Sequence, residues 1–145
     1  MTSIGRTKPP IWFWIVGILA LLWNGMGVGE YIRQITMSAA EFAALPANQQ
    51  ELMIDQPFWL TAAFAIAVLA GFVASVLLLL RQRIAVRLFM VSMLAVFTQF
   101  GGLFLFKGYW DMLSGAEIVM PILIPIFAVG FAWFAWRCEK SGYLR

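Results

Sequence analysis

From Phe58 to Leu80 no residue of this chain carries a charge, and nearly every one is apolar. At a helical rise of about 1.5 Å per residue, roughly 20 such residues cross the ~30 Å hydrocarbon core of a bilayer. Three further segments have the same character: Ile11–Arg33, Leu88–Phe106 and Ile118–Trp136. Of the 145 residues, 63% are hydrophobic and 12% charged, more apolar surface than a soluble domain of this length can hide. The expected fold is therefore all-α: a four-transmembrane-helix bundle forming a single integral membrane domain over residues 1–145. The lipid bilayer is its first partner.

Arg6 and Lys8 precede the first segment, as basic residues precede a signal peptide. Its apolar run is longer than an h-region and no small-residue cleavage site follows, so an uncleaved first helix is expected. The tail EKSGYLR carries no lipidation or retention motif. With the N-terminus in the cytoplasm, Arg6, Lys8, Arg81, Arg83, Arg87, Arg137, Lys140 and Arg145 fall inside, against Arg33 and Lys107 outside. That is the bias the positive-inside rule describes, and it makes both termini cytoplasmic. Most acids, Asp55 among them, then fall outside. The net charge of +3 reports orientation, and no nucleic-acid partner is expected. Trp12, Trp14, Trp133 and Trp136 mark the inner interface and Tyr31, Trp59, Tyr109 and Trp110 the outer one, as anchors.

The longest connection follows the first helix. Ser38 and Glu41 have the S-x-x-E spacing of a capping box, and AEFAAL continues as a short amphipathic helix as far as Pro46. In this first outer loop such a helix either lies on the membrane surface or covers the bundle as a lid. Ser114 and Glu117 form a second capping box before the last helix.

Small residues suggest where the helices meet. Ala63, Ala67, Gly71 and Ser75 recur every four residues on the second span, the spacing that lets helix backbones approach in lipid. On the first span Gly25 and Gly29 form an i, i+4 packing pair, set apart from a polar stripe of Asn24, Gly27 and Tyr31. Ser92, Ala95, Gln99 and Gly102 share a stripe on the third. Pro121 and Pro125 remove two backbone donors from the last span and are expected to kink it.

Counted from the inner ends of their helices, Asn24 lies about 18 Å deep, and Gln99 and Pro125 about 16 Å. An amide facing lipid would be left unpaired at considerable cost, so Asn24 is expected to point inward, with Gln99 its partner by depth. One reading is an interhelical hydrogen bond that fixes register. The other is a small polar cavity lined by Asn24, Gln99, Tyr31 and Glu30, opening outward. Glu30 then binds a cation or a proton, unless it pairs with Arg33 or reaches headgroup water.

Catalytic chemistry has little to work with. There is no histidine, which removes imidazole acid–base catalysis and histidine-ligated haem. Cys138 is the single cysteine, beside Arg137, and cannot build a disulfide or thiolate cluster within the chain. The GMGVG glycines lie within a span rather than in a phosphate-binding loop. No enzyme activity, metal or cofactor is expected.

The stretches LLWNGMGVGEY, MSAAEFAALP, GFVASVLLLLRQRIA and MPILIPIFAVGFAWF, with the terminal KSGYLR, resemble a widespread group of small four-helix bacterial inner-membrane proteins. Some members carry a sugar-transporter label. The resemblance implies the fold and a multi-pass location in the bacterial inner membrane. Gly25 departs from the pattern, where relatives tend to have a bulky apolar residue. Two functions are expected. One is helix-mediated association, as a homo-oligomer or with a larger membrane-protein partner. The alternative is a transporter or channel subunit for a small polar solute, sugar-like or ionic, using the polar mid-membrane level.

Overall fold

A computed structural model describes residues 7–54, 56–106 and 108–145, so Arg6, Asp55 and Lys107 lie outside the described residues. All of its regular elements are helical. Four are long and apolar enough to cross a membrane, which makes this a multi-pass membrane protein: α1 (Ile11–Ile35), α4 (Phe58–Leu79), α5 (Ile84–Phe106) and α7 (Val119–Lys140). Between α1 and α4 lie two short helices, α2 (Ala39–Ala43) and α3 (Ala47–Met53); α6 (Tyr109–Met112) and a 3₁₀ turn (Gly115–Ile118) join α5 to α7.

The long helices pack in chain order, α1 on α4, α4 on α5 and α5 on α7. Lipid gives no hydrophobic drive to such pairing, so close backbone approach has to supply it. Ala63, Ala67, Gly71 and Ser75 are all buried on α4. The Ser92 hydroxyl of α5 donates to the Ala67 carbonyl of α4 at 2.6 Å. Further along, a Cβ on Gly102 would come within 2.4 Å of the Trp59 ring. The two small-residue stripes thus face each other.

On α1 the contact face is not the one the glycine pair suggests. A Cβ on Gly29 would meet nothing within 4 Å, and one on Gly25 would make only ordinary contact with the Phe72 ring at 3.7 Å. The close approaches are at Gly17, whose Cβ would lie 2.6 Å from Leu79, and Gly27, whose Cβ would lie 3.0 Å from Val68. Tyr31 continues that face, edge-on to Phe64 at 5.6 Å. The stripe of Asn24, Gly27 and Tyr31 is therefore the surface that packs on α4, while Gly25 and Gly29 look away from it.

Both described chain ends and the α4–α5 turn meet at one end of the bundle. Helix α4 stops in a Schellman motif: Arg81 adopts the left-handed region (φ 61°), and Gln82 N–H donates to the Leu77 carbonyl at 2.8 Å. Helix α7 stops the same way at Gly142 (φ 77°), with Tyr143 N–H donating to the Cys138 carbonyl at 3.0 Å. The tail then bonds the turn, Arg145 N–H to the Arg81 carbonyl at 2.6 Å and Arg83 N–H to the Arg145 carbonyl at 2.9 Å. The Arg81 side chain donates to the carbonyls of Tyr143 (2.7 Å) and Thr7 (3.1 Å). This terminal end is solidly packed around Phe13, Leu78, Phe134, Cys138 and Leu144. Arg137 and Lys140 in the last turn of α7 lie 5.7 and 5.8 Å from the rings of Trp133 and Trp136, placing cations where the helix dipole favours them.

Two boundaries differ from the hydropathy reading by a full turn. Helix α5 begins at Ile84 rather than Leu88, because the Schellman turn needs only residues 81–83, and α7 runs on to Lys140. Pro121 falls in the first turn of α7, after the 3₁₀ turn, where a missing N–H matters least. Pro125 stands inside the helix.

Candidate functional site

The opposite, loop end of the bundle is hollow. Its own packed cluster is confined largely to α4 and α5, around Leu60, Ala67, Val96 and Phe100. Between that pair and helices α1 and α7 lies a cavity of about 650 Å³. Its floor is aromatic. Trp23 of α1 meets Phe127 of α7 with ring centroids 4.4 Å apart, and Phe131 lies 5.7 Å from Phe127 and 6.1 Å from Phe89. Below these rings the packed terminal end begins, so the cavity does not continue through the bundle.

The roof comes from the long connection. Leu45, Asn48, Leu52 and Met53 line the cavity from above. Local capping sets this segment: Ser38 Oγ accepts the Glu41 N–H at 3.2 Å, and the Glu41 carboxylate accepts the Ser38 N–H at 2.7 Å. Chiefly for the latter reason, and then through the Ser38 hydroxyl, the Glu41 carboxyl is held below the usual range. The Gln50 side-chain amide donates to the Leu45 carbonyl at 2.8 Å, bracing α3 against the preceding turn. Asn48 is the latch. Its Nδ2 donates to the Met112 carbonyl at 3.1 Å and to the Glu117 carboxylate at 3.1 and 3.3 Å. Glu117 also accepts from the Ser114 N–H at 3.2 Å, so one carboxylate serves the cap and the roof.

The residues singled out in the sequence have separate fates. Asn24, Glu30 and Gln99 all line the cavity; Tyr31 does not, being packed against Phe64. Asn24 and Gln99 are not hydrogen-bonded to each other. Asn24 Nδ2 donates to the Ala20 carbonyl at 2.8 Å and to Ser75 Oγ at 3.3 Å, and Ser75 passes its own proton to the Gly71 carbonyl at 2.8 Å. That chain satisfies the polar groups of the α1–α4 contact, as a low-dielectric interior requires. Gln99 is half-buried, faces the cavity, and makes no hydrogen bond to any described residue. Glu30 is exposed at the rim and bound by Arg33, whose Nε lies 3.0 Å from Oε2.

Among the described residues no cluster of three His, Cys, Asp or Glu side chains comes together to hold a metal. Cys138 is fully buried in the terminal end, away from the cavity. Tyr109, at the cavity wall, has its hydroxyl pushed above its ordinary value by burial, with the Glu117 charge adding to this.

No family model, curated protein or solved structure matches the chain. Its site is therefore defined by geometry. Three participants escape a reading of the sequence: the floor residue Trp23, the latch Asn48 and its acceptor Glu117. Trp23 reads as one more apolar residue of a span, and Glu117 as a cap. Asn48 meets Glu117 only through the tertiary fold, so no local pattern marks it.

Proposed function

We propose that this chain is a multi-pass protein of the bacterial inner membrane, with both termini cytoplasmic, that holds a small solute in a pocket facing the outer side. It acts as a subunit of a transporter or channel. The cavity carries this reading. Its volume falls within the ~300–1,000 Å³ typical of small-molecule sites, and it combines an apolar interior with a few directed polar groups. The basic residues at the terminal end favour placing that end in the cytoplasm, which turns the cavity and its α3 roof outward. The resemblance of its sequence to small four-helix bacterial inner-membrane proteins is in keeping with this.

The aromatic floor closes the path within one chain, so completing a conduit takes a second copy or a larger membrane protein. The outward-looking Gly25 and Gly29 offer a face for that association. Binding rather than bond-making is the proposed chemistry, since the lining supplies hydrogen bonds and apolar contact but neither histidine nor an exposed thiol.

The test is saturable binding and uptake of labelled solutes by the full chain in liposomes, beside an Ala128→Phe variant that fills the cavity. Ala128 lines it from α7. Binding that is lost in the variant supports the reading. If sugars, ions and amphiphiles all fail to bind in a way the variant changes, the reading is overturned.

A further inference from the structure

The cavity's lining decides what kind of solute suits it, and this step rests on the reading above. A sugar carries a hydroxyl on nearly every carbon, and each one taken from water without a partner costs free energy. Deep in the cavity the walls are Trp23, Phe89, Val96, Phe100, Ile124 and Phe131. Three polar side chains reach that depth. The Ser92 proton is already given to the Ala67 carbonyl, and the Asn24 amide nitrogen to Ala20 and Ser75. Gln99 alone has both donor and acceptor free. One amide cannot satisfy a ring of hydroxyls, and a bare ion would find no coordinating set there.

The mouth has a second property. Helix α1 packs along α4 and α7 along α5, but α1 and α7 share no extended backbone contact, and rings such as Trp23 and Phe127 bridge them. Above that bridge the cavity reaches the side of the bundle. Met26 on α1 and Met120 on α7 both line it, yet they are 65% and 51% exposed. Met26 lies nine residues before the end of α1, about 13 Å down the helix and at hydrocarbon depth. Met120, in the first turn of α7, stands nearer the rim, so the opening runs from the outer interface down to acyl chains, and methionine is the side chain best able to move aside for a passing ligand. Higher still the rim turns polar, with Glu30, Arg33, Asn48 and Glu117.

We infer that the cavity takes a single-headed amphiphile from the bilayer, a molecule with an apolar chain and one hydroxyl or carbonyl group. It enters sideways between Met26 and Met120, and Gln99 reads its polar group. The apolar chain fills the space over the aromatic floor, replacing lipid contacts with protein contacts, while the Gln99 amide donates to a carbonyl or exchanges hydrogen bonds with a hydroxyl. The arrangement selects against anionic lipids and detergents, since Arg33 at the rim is already bound to Glu30.

The full chain in phosphatidylcholine vesicles is exposed to a long-chain alcohol bearing a photoreactive diazirine, and separately to a tritiated monosaccharide. Labelled residues are mapped by fragment mass spectrometry. Labelling of cavity residues on α5 and α7, competed away by unlabelled alcohol, abolished in Ala128→Phe and about fivefold weaker in affinity for Gln99→Leu, supports the proposal. The fivefold figure is the worth of one hydrogen bond and separates recognition by Gln99 from simple greasy contact. Labelling confined to outward faces and not competed overturns it. If the monosaccharide then binds in a manner that Ala128→Phe removes, the solute-binding reading stands and the amphiphile falls. If neither binds, the amphiphile falls, and the solute-binding reading falls with it once ions fail as well.

Discussion

Asn24 on α1 donates to Ser75 on α4 at 3.3 Å, and it can do so because Gly71, one turn from Ser75, leaves room for its side chain. A Cβ on Gly71 would lie 2.1 Å from Asn24 Oδ1 and 3.0 Å from Ser92 Oγ. The α1–α4 and α4–α5 contacts thus converge on one missing methyl group. Gly71→Ala should destabilise the bundle by about 1–3 kcal/mol, the usual cost of overpacking. Thermal unfolding in detergent would show it as a lower midpoint. Combined with Asn24→Ala, which vacates most of the space, the loss should be clearly less than additive. Asn24→Ala alone should cost only about 0.6 kcal/mol, because Ser75 keeps its bond to the Gly71 carbonyl.

The roof should open more often when its latch is cut. Asn48→Ala removes the bonds to Glu117 and Met112, worth about 1 kcal/mol in total at a partly exposed site. The amides of Ala47–Met53 should then exchange with deuterium several-fold faster, while α4 and α5 keep their protection. Equal exchange in the two proteins would mean that the roof is held by apolar contact through Leu45, Leu52 and Met53 instead.

The start of that segment is pH-sensitive. The folded Glu41 carboxyl is held below the ordinary range by Ser38, so its contribution to capping is fully present above the unfolded carboxyl's range. It is lost as pH falls through the lower, folded value. Amide exchange of Ala39–Ala43 should rise in that acid window, and Glu41→Gln should flatten the profile. The charge is fully exposed, so the effect is local fraying rather than a shift in global stability.

The four long helices could be read from hydropathy because bilayer thickness fixes how long an apolar run must be. Both serine caps could be read because S-x-x-E is a local geometry. The α1 contact face was harder. Gly25 and Gly29 have the spacing of a packing pair, yet the phase of the α1–α4 contact is set by Asn24, which must reach Ser75 to be satisfied. Gly17 and Gly27 fall on that side, and the glycine pair does not. Depth alone pointed Asn24 at Gln99. That depth was counted from Leu88, whereas α5 begins at Ile84; the α5 residue that meets Asn24 at Gly71 is Ser92, and Gln99 stands two turns further along the helix.

The terminal end gives a direct chemical readout. Cys138 is fully buried, so a maleimide should leave it unlabelled in the folded protein and react once denaturant opens the core. Arg81→Gly is the informative variant there. Glycine suits the φ of 61° that Arg81 adopts, so the helix stop is retained or improved. What is lost is the guanidinium that holds the Tyr143 and Thr7 carbonyls. Faster labelling of Cys138 in this variant, with α4 still helical by circular dichroism, would show that the tail, through Leu144, seals the core. Unchanged labelling would assign the seal to the backbone bonds between residues 81–83 and 145.

Association is best probed on the face that the bundle leaves unused. A Cβ at Gly29 meets nothing within 4 Å, and one at Gly25 only the edge of Phe72. Replacing both by leucine should therefore leave the single chain's stability within about 0.5 kcal/mol, since no packed neighbour has to move, and helix propensity would rise. Two copies of the chain, or this chain and a partner helix, would lose a close approach that only small residues permit. Crosslinking in native membranes should then fall for Gly25→Leu plus Gly29→Leu while the unfolding midpoint stays put. A matching substitution pair at Met90 and Leu94, exposed positions of α5, should change neither. If crosslinking persists in the glycine variant, the contact lies on another helix, and Gly25 and Gly29 face only lipid.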